Sequence, residues 1–187
     1  MPKTKGCVLD VARQRGGAMP GVVTLVDHSR YRNDGAMTDV TWTQLPSGLW
    51  VLDFNGTSSI VDCGNTHTNI KSALLWIYPN DNTSRSIIDF DGGTHSLELS
   101  AGGDLTATGW AAPTIYVNGI VAAAVSQSNW SCIAVTTATA FSASALVFGQ
   151  EASFFDGKMG IIVLHDYVLS AGQILKRVEA TRHLFGV

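Results

Sequence analysis

The sequence predicts an all-β fold, a two-sheet antiparallel sandwich finished by one short C-terminal helix. Three observations carry that prediction. Only 14% of the 187 residues are charged, against about 25% in an average soluble domain, so Ser, Thr, Asn and 19 glycines must supply the polar surface. Short strand-like runs recur along the chain with turn residues between them, the pattern of sandwiches and barrels. A single capping box near the end opens the one segment with helical periodicity.

The first 21 residues read as an N-terminal basic arm, with Lys3, Lys5, Arg13 and Arg15 in a Gly-containing stretch. Such a stretch is solvated or docks on a neighbouring subunit. The sandwich spans 22–187 without linker, repeat or break in composition. In 49–54, Trp50, Leu52 and Phe54 share one face and Leu49, Val51 and Asp53 the other. Asn55-Gly56 reads as a two-residue hairpin turn, since both positions tolerate positive φ, and 59–63 runs back. Residues 73–78 are apolar on both faces and stop at Pro79, as a central strand does. Strands follow at 86–90, 95–100 and 105–108, with 91–93 and 101–104 as turns. Next comes 114–118, and Asn118-Gly119 turns the chain into 120–125. Residues 130–136 alternate, and 145–148 and 159–167 complete the strands. Ser170 and Gln173 then match a capping box. Ile174, Leu175, Val178 and Leu184 form the apolar stripe, Lys176, Arg177, Glu179 and Arg182 face outward, and Gly186 stops the helix.

Composition excludes several classes. The net charge of 12 − 15 = −3 argues against a nucleic-acid binder held by bulk charge. No apolar run approaches the ~20 residues of a membrane helix, and residues 1–6 lack the apolar core of a signal peptide, so synthesis in the cytoplasm is expected. Three cysteines (Cys7, Cys63 and Cys132) without a Cys-x-x-Cys read as buried free thiols in a reducing compartment.

Asp27-His28-Ser29 with Asn33-Asp34-Gly35, followed by Leu52-Asp53-Phe54-Asn55-Gly56, resembles the opening loop and hairpin of a laminin-G-like, concanavalin A-like jelly-roll domain of the lectin and glucanase type. Ile115-Tyr116-Val117-Asn118-Gly119, residues 130–137, Phe155-Asp156-Gly157 and 164–170 resemble its later strands. The hairpin placed before the tryptophan strand, and the ending 181–186, look like bacteriophage and environmental viral members. The resemblance implies a virion surface or decoration role among neighbouring subunits. It also implies a structural or sugar-bridging calcium, for which Asp27, Asn33, Asp34, Asp53 and Asp156 are the matching oxygen donors, the alternative being Asx turns in which these side chains satisfy local backbone amides.

Because the fold also hosts glycoside hydrolases, catalysis has its own requirements. A retaining enzyme needs two carboxyls about 5–5.5 Å apart, and glucanases of this fold carry Glu-x-Asp-x-x-Glu on one strand. Glutamate stands only at 98, 151 and 179, outside any such pattern. Asp89 and Asp91 come closest, as a polar strand end entering a turn or as half of a calcium or sugar site. A sugar has one apolar face and a rim of hydroxyls, so it is held by aromatic platforms beside polar groups. Trp42, Tyr31 and Trp110 are the principal candidates, with Tyr78 beside Asn80, Asp81 and Asn82, whereas Trp50, Trp76 and Trp130 read as core. The expectation is a non-catalytic structural or interaction module without its own membrane span. Its partners are neighbouring subunits and, at its surface, glycans. A calcium-assisted lectin is the alternative, and a glycoside hydrolase the least favoured reading.

Overall fold

The computed structural model describes residues 6–12 and 21–187. Among them, fifteen strands and one helix build the two-sheet antiparallel sandwich that the sequence predicts. The first sheet holds β1 (Cys7–Val11), β4 (Thr41–Gln44), β5 (Trp50–Asn55), β7 (His67–Pro79), β11 (Thr114–Val117), β12 (Ile120–Val121), β13 (Ser131–Ala143) and β15 (Asp156–His165). Its order is β12-β11-β13-β7-β15-β5-β4, with β1 added on β15. The second holds β2 (Thr24–Leu25), β3 (Gly35–Thr38), β6 (Ile60–Gly64), β8 (Arg85–Asp89), β9 (Ser96–Leu99), β10 (Leu105–Thr108) and β14 (Leu146–Phe148), in the order β10-β9-β8-β14-β6-β3-β2.

Strand alternation decides what each face meets. Leu52, Phe54, Leu75, Ile77, Ile133 and Val135 point inward and interdigitate with Ile88, Leu97 and Phe148 of the facing sheet. Each such burial is worth about 1.5–3 kcal/mol. The opposite face of the eight-stranded sheet is also apolar, with Val51, Leu74, Trp76, Cys132 and Ala134, and it is roofed by α1 (Ala171–Phe185). Ile174, Val178 and Phe185 are the helix's buried side chains, Phe185 stacks on Trp76 at 4.4 Å, and the Trp76 indole N–H donates to Thr181 Oγ1 at 3.0 Å. The Ser170–Gln173 capping box is formed, and Gly186 ends the helix in the left-handed region with φ 75°. All three cysteines are free and buried.

Four details depart from the expectations. Asn55-Gly56 is not a hairpin, because β5 and β6 belong to different sheets. The Asn55 side chain instead gathers the N–H groups of Thr57, Ser58 and Ser59 into a crossover loop. Asn118-Gly119 is a true two-residue turn, with φ of 52° and 86° and Val117 opposite Ile120. Beyond Val121 the chain leaves that sheet and bridges to the other at Asp104–Ala124. On the helix, Leu175 is 45% exposed and Phe185 takes its place in the stripe. Finally, Cys7–Val11 lies within the stretch read as an arm, yet it pairs with the second half of β15. Lys3, Lys5, Arg13 and Arg15 lie outside the described residues.

The edge of β15 is shared. Its first half pairs with β5 and its second half with β1. The change of partner falls at Ile161, which has φ 45° and donates its N–H to Ala12 O at 2.8 Å.

Candidate functional site

The loop that the resemblance assigns to calcium is filled by its own backbone. Asp27 is fully buried, and its carboxylate accepts from Asp10 N at 3.0 Å, Ser29 N at 2.8 Å, Ser29 Oγ at 2.7 Å and Asn33 N at 2.9 Å. Asp34 Oδ1 accepts from Asp27 N at 2.8 Å, and Asn33 Nδ2 donates to Thr66 O at 3.1 Å. These side chains act as Asx turns, completing orphan backbone donors. Asp53 and Asp156 have other partners. Asp53 accepts from Thr43 Oγ1 at 2.8 Å and lies 3.6 Å from Lys158 Nζ. Asp156 accepts from Asn80 Nδ2 at 2.7 Å and lies 3.7 Å from the Arg85 guanidinium. Among the described residues, no three His, Cys, Asp or Glu side chains gather into a metal shell. The geometry therefore keeps Asp27, Asn33 and Asp34 together and holds Asp53 and Asp156 in separate ion pairs.

Asp89 and Asp91 are also committed. Asp89 Oδ1 accepts the N–H groups of Asp91, Gly92 and Gly93 at 3.1, 3.0 and 2.9 Å, which closes the β8–β9 turn. Asp91 takes both the backbone N–H of His95, at 2.7 Å, and its ring Nδ1, at 2.6 Å. That ring stacks flat on Phe141 at 4.3 Å. The neighbouring Asp81 carboxyl is held down to about 2, chiefly by its hydrogen bond from Arg85. Burial pushes the thiols of Cys63 and Cys132 up to about 12 and that of Cys7 up to about 11. All three stay protonated at neutral pH.

The aromatic candidates separate by exposure. Trp110 is 5% exposed and packs edge-on against Phe90 and Phe141, so it is core rather than platform. Tyr31 is half-buried, edge-on to His67 at 4.9 Å, and Arg30 lies over its ring at 4.7 Å. Trp42 is half-buried on β4, opposite Leu52. β4 and β2 are the last strands of their respective sheets, and the interior opens between them. There, Trp42 lines a pocket of about 180 Å³ with Val22, Thr24, Val26, Ala12 and the exposed His28. Its indole N–H donates to Val22 O at 3.2 Å, which fixes the ring plane in the mouth.

Sequence reasoning named Tyr78 but missed its partner, because Trp130 read as core and is half-buried. Tyr78 and Trp130 are half-buried with ring centroids 5.6 Å apart, and Lys158 Nζ lies 5.2 Å above the Tyr78 ring. The register sets Tyr78 beside Lys158, and Lys158 beside Asp53. The alternation that placed Asp53 on its face carried this signal, but which strands would be neighbours was not visible. Lys158 caps the tyrosine face, so this row is already satisfied internally.

No family model and no curated protein matches the chain. Solved structures do match. Trypanosoma rangeli sialidase in complex with sialic acid superposes with a TM-score of 0.64 and 11% identity, over 97% of this chain and 34% of that one. Domain 4 of an extracellular GH43 arabinanase from Geobacillus stearothermophilus, in complex with arabinotriose, gives 0.58 and 13% over 81% and 91%. A botulinum neurotoxin type C structure, described as depending on interaction with two ganglioside molecules for cell entry, gives 0.58 and 10% over 94% and 51%. The chain thus spans about half of the toxin chain it matches. At these identities the likeness shows the fold, a two-sheet β-sandwich, and nothing finer.

Proposed function

We propose that this chain is a non-catalytic, lectin-like binding module that takes a glycan at the mouth between β2 and β4. The observation that carries the reading is the half-buried Trp42 indole lining a pocket of about 180 Å³ beside the exposed His28. An indole face suits the apolar face of a pyranose, and an imidazole at the rim donates to or accepts from its hydroxyls. Support also comes from three structural neighbours whose descriptions name sialic acid, arabinotriose and gangliosides. Against hydrolysis stands the commitment of Asp89 and Asp91 to turn amides and His95, which leaves neither carboxyl placed as an acid beside a free nucleophile.

A glycan array probed with and without calcium tests the reading, followed by titration of the best ligand. Trp42→Ala is expected to weaken Kd by at least about tenfold, with His28→Ala weakening it less. Removing calcium is expected to leave binding unchanged, because the Asp27 oxygens are filled by protein donors. Absence of binding in both conditions overturns the proposal.

A second reading, a subunit of a virion-surface assembly, is favoured by one observation. Ile120 and Val121 are 66% and 72% exposed on the edge strand β12. Leu175 is also exposed and seats its side chain over the Gly119 turn just before them. Aliphatic side chains on an open edge suit burial against a neighbour. Light scattering and co-purification with particles test it. A monomer that never accompanies particles counts against it.

A further inference from the structure

His165 is the most anomalous side chain among the described residues. It is fully buried, yet neither Nδ1 nor Nε2 has a hydrogen-bond partner. A buried polar group without a partner is costly and rare, so it asks for an explanation. The ring lies on the helix-facing side of β15, at the strand's last residue, opposite Cys7 of β1 and Ser72 of β7. Tyr167 roofs it at 4.9 Å between centroids, and Tyr167 itself packs so closely on Gly6 that a Cβ there would meet its ring at 2.5 Å. Leu169 and Ser170, which lead into α1, follow directly. Ser72 Oγ ties down this lead-in, donating to Tyr167 O at 2.8 Å and accepting from Leu169 N at 2.9 Å.

We propose that His165 is an acid-operated latch: protonation of its ring lifts the 166–170 lead-in and helix α1 off the outer face of the eight-stranded sheet, while the core between the sheets stays folded. The charged and titratable groups around the ring define the response. From α1, the Arg177 guanidinium repels an imidazolium. From β1 come the Cys7 thiol, which is neutral, and the Asp10 carboxylate, whose neighbour across the ladder is Val163. Asp166 and Tyr167 flank the ring on its own segment, and Ser72 is its uncharged neighbour on β7. Burial first, and Arg177 second, hold the pKa down from 6.5 to about 4, while the Gly6 carbonyl, outside hydrogen-bond geometry of the ring, pulls weakly upward. An open state in which the ring is hydrated binds the proton at its ordinary pKa, so acid draws the equilibrium toward that state.

The helix is the part that yields because it is a single layer on an outer face, whereas the strands beneath it are paired on both sides and packed across the interior. Releasing it uncovers Trp76, Leu74 and Cys132, which otherwise are at most 2% exposed. Cys132 therefore reports the helix, and Cys63, which belongs to the inter-sheet core, reports global unfolding.

The test is thiol labelling with 4,4′-dithiodipyridine, which reacts in acid, at pH 7 and pH 4, with each cysteine resolved by peptide mass spectrometry. In the parent protein the open fraction, read from Cys132, is expected to rise by about a hundredfold between the two pH values, with Cys63 lagging. In His165→Phe and His165→Leu that ratio falls to near unity. In Arg177→Gln it falls part of the way. Because each variant is read as a ratio against itself, a change in baseline stability does not obscure the result. An unchanged ratio in both His165 variants overturns the latch, as does labelling of Cys63 in step with Cys132.

Discussion

Asp27 shows how the same residue type can announce two chemistries. A loop carboxylate suits a hard cation, and it suits orphan backbone amides equally well. The sequence displayed Asp27, Asn33 and Asp34 at the right spacing for either, and in the fold the Asp10, Ser29 and Asn33 N–H groups lie on the Asp27 carboxylate. Asp89 repeats the lesson, with three consecutive amides on one oxygen. Trp110 was legible as a candidate platform, but at 5% exposure it packs on Phe90 and Phe141, residues distant in sequence. Asp27→Ala would strand two or more buried donors and remove the tie between β1 and the 27–34 loop. An expected loss of about 3 kcal/mol follows, read as a lower urea midpoint at pH 7, and a loss below about 1 kcal/mol would contradict this account.

At the level of elements, strand existence was legible and strand partnership was not. Alternation and turn residues located the runs from 49 onward, because each signal is local. The early strands β1 to β4 escaped notice for two reasons: β2, β3 and β4 are only two to four residues long with mixed burial patterns, and β1 lies in the stretch read as an arm. The two Asn-Gly pairs make the distinction concrete. One turns a hairpin within a sheet and the other carries the chain between sheets, though the dipeptide is identical. Their sensitivity should differ accordingly. Gly119 has φ 86°, and a Cβ there would lie 2.9 Å from Leu175 Cδ1. Gly119→Ala is expected to cost about 1–2 kcal/mol from the left-handed backbone alone, seen as a Tm several degrees lower by calorimetry. Gly119→Asn, which tolerates that region, should recover part of the loss unless the contact with Leu175 dominates. The helix was the best-read element, because capping box, periodicity and terminal glycine agreed. The stripe was misread at Leu175, which lies at its margin against the β11–β12 turn, and at Phe185, which is buried in its place.

Over the whole molecule, the scarcity of charge makes sense as architecture. Two apolar faces of one sheet are covered, one by the other sheet and one by α1, while Thr, Ser, Asn and Gly serve the remaining surface. The few carboxylates are consequently spent on loops and ion pairs, and the mouth at Trp42 brings an aromatic and an open pocket together. That convergence joins strands at the edges of different sheets, which no local pattern in the chain could reveal. The placement of β1 also has a bearing on folding kinetics. Residues 7–11 are separated from their ladder partners, residues 162–165, by most of the described residues. Until those partners meet them, Leu9 and Val11, fully buried in the finished sandwich, have no native place to go. The barrier to folding therefore carries the entropy of closing a loop that encloses nearly every other strand.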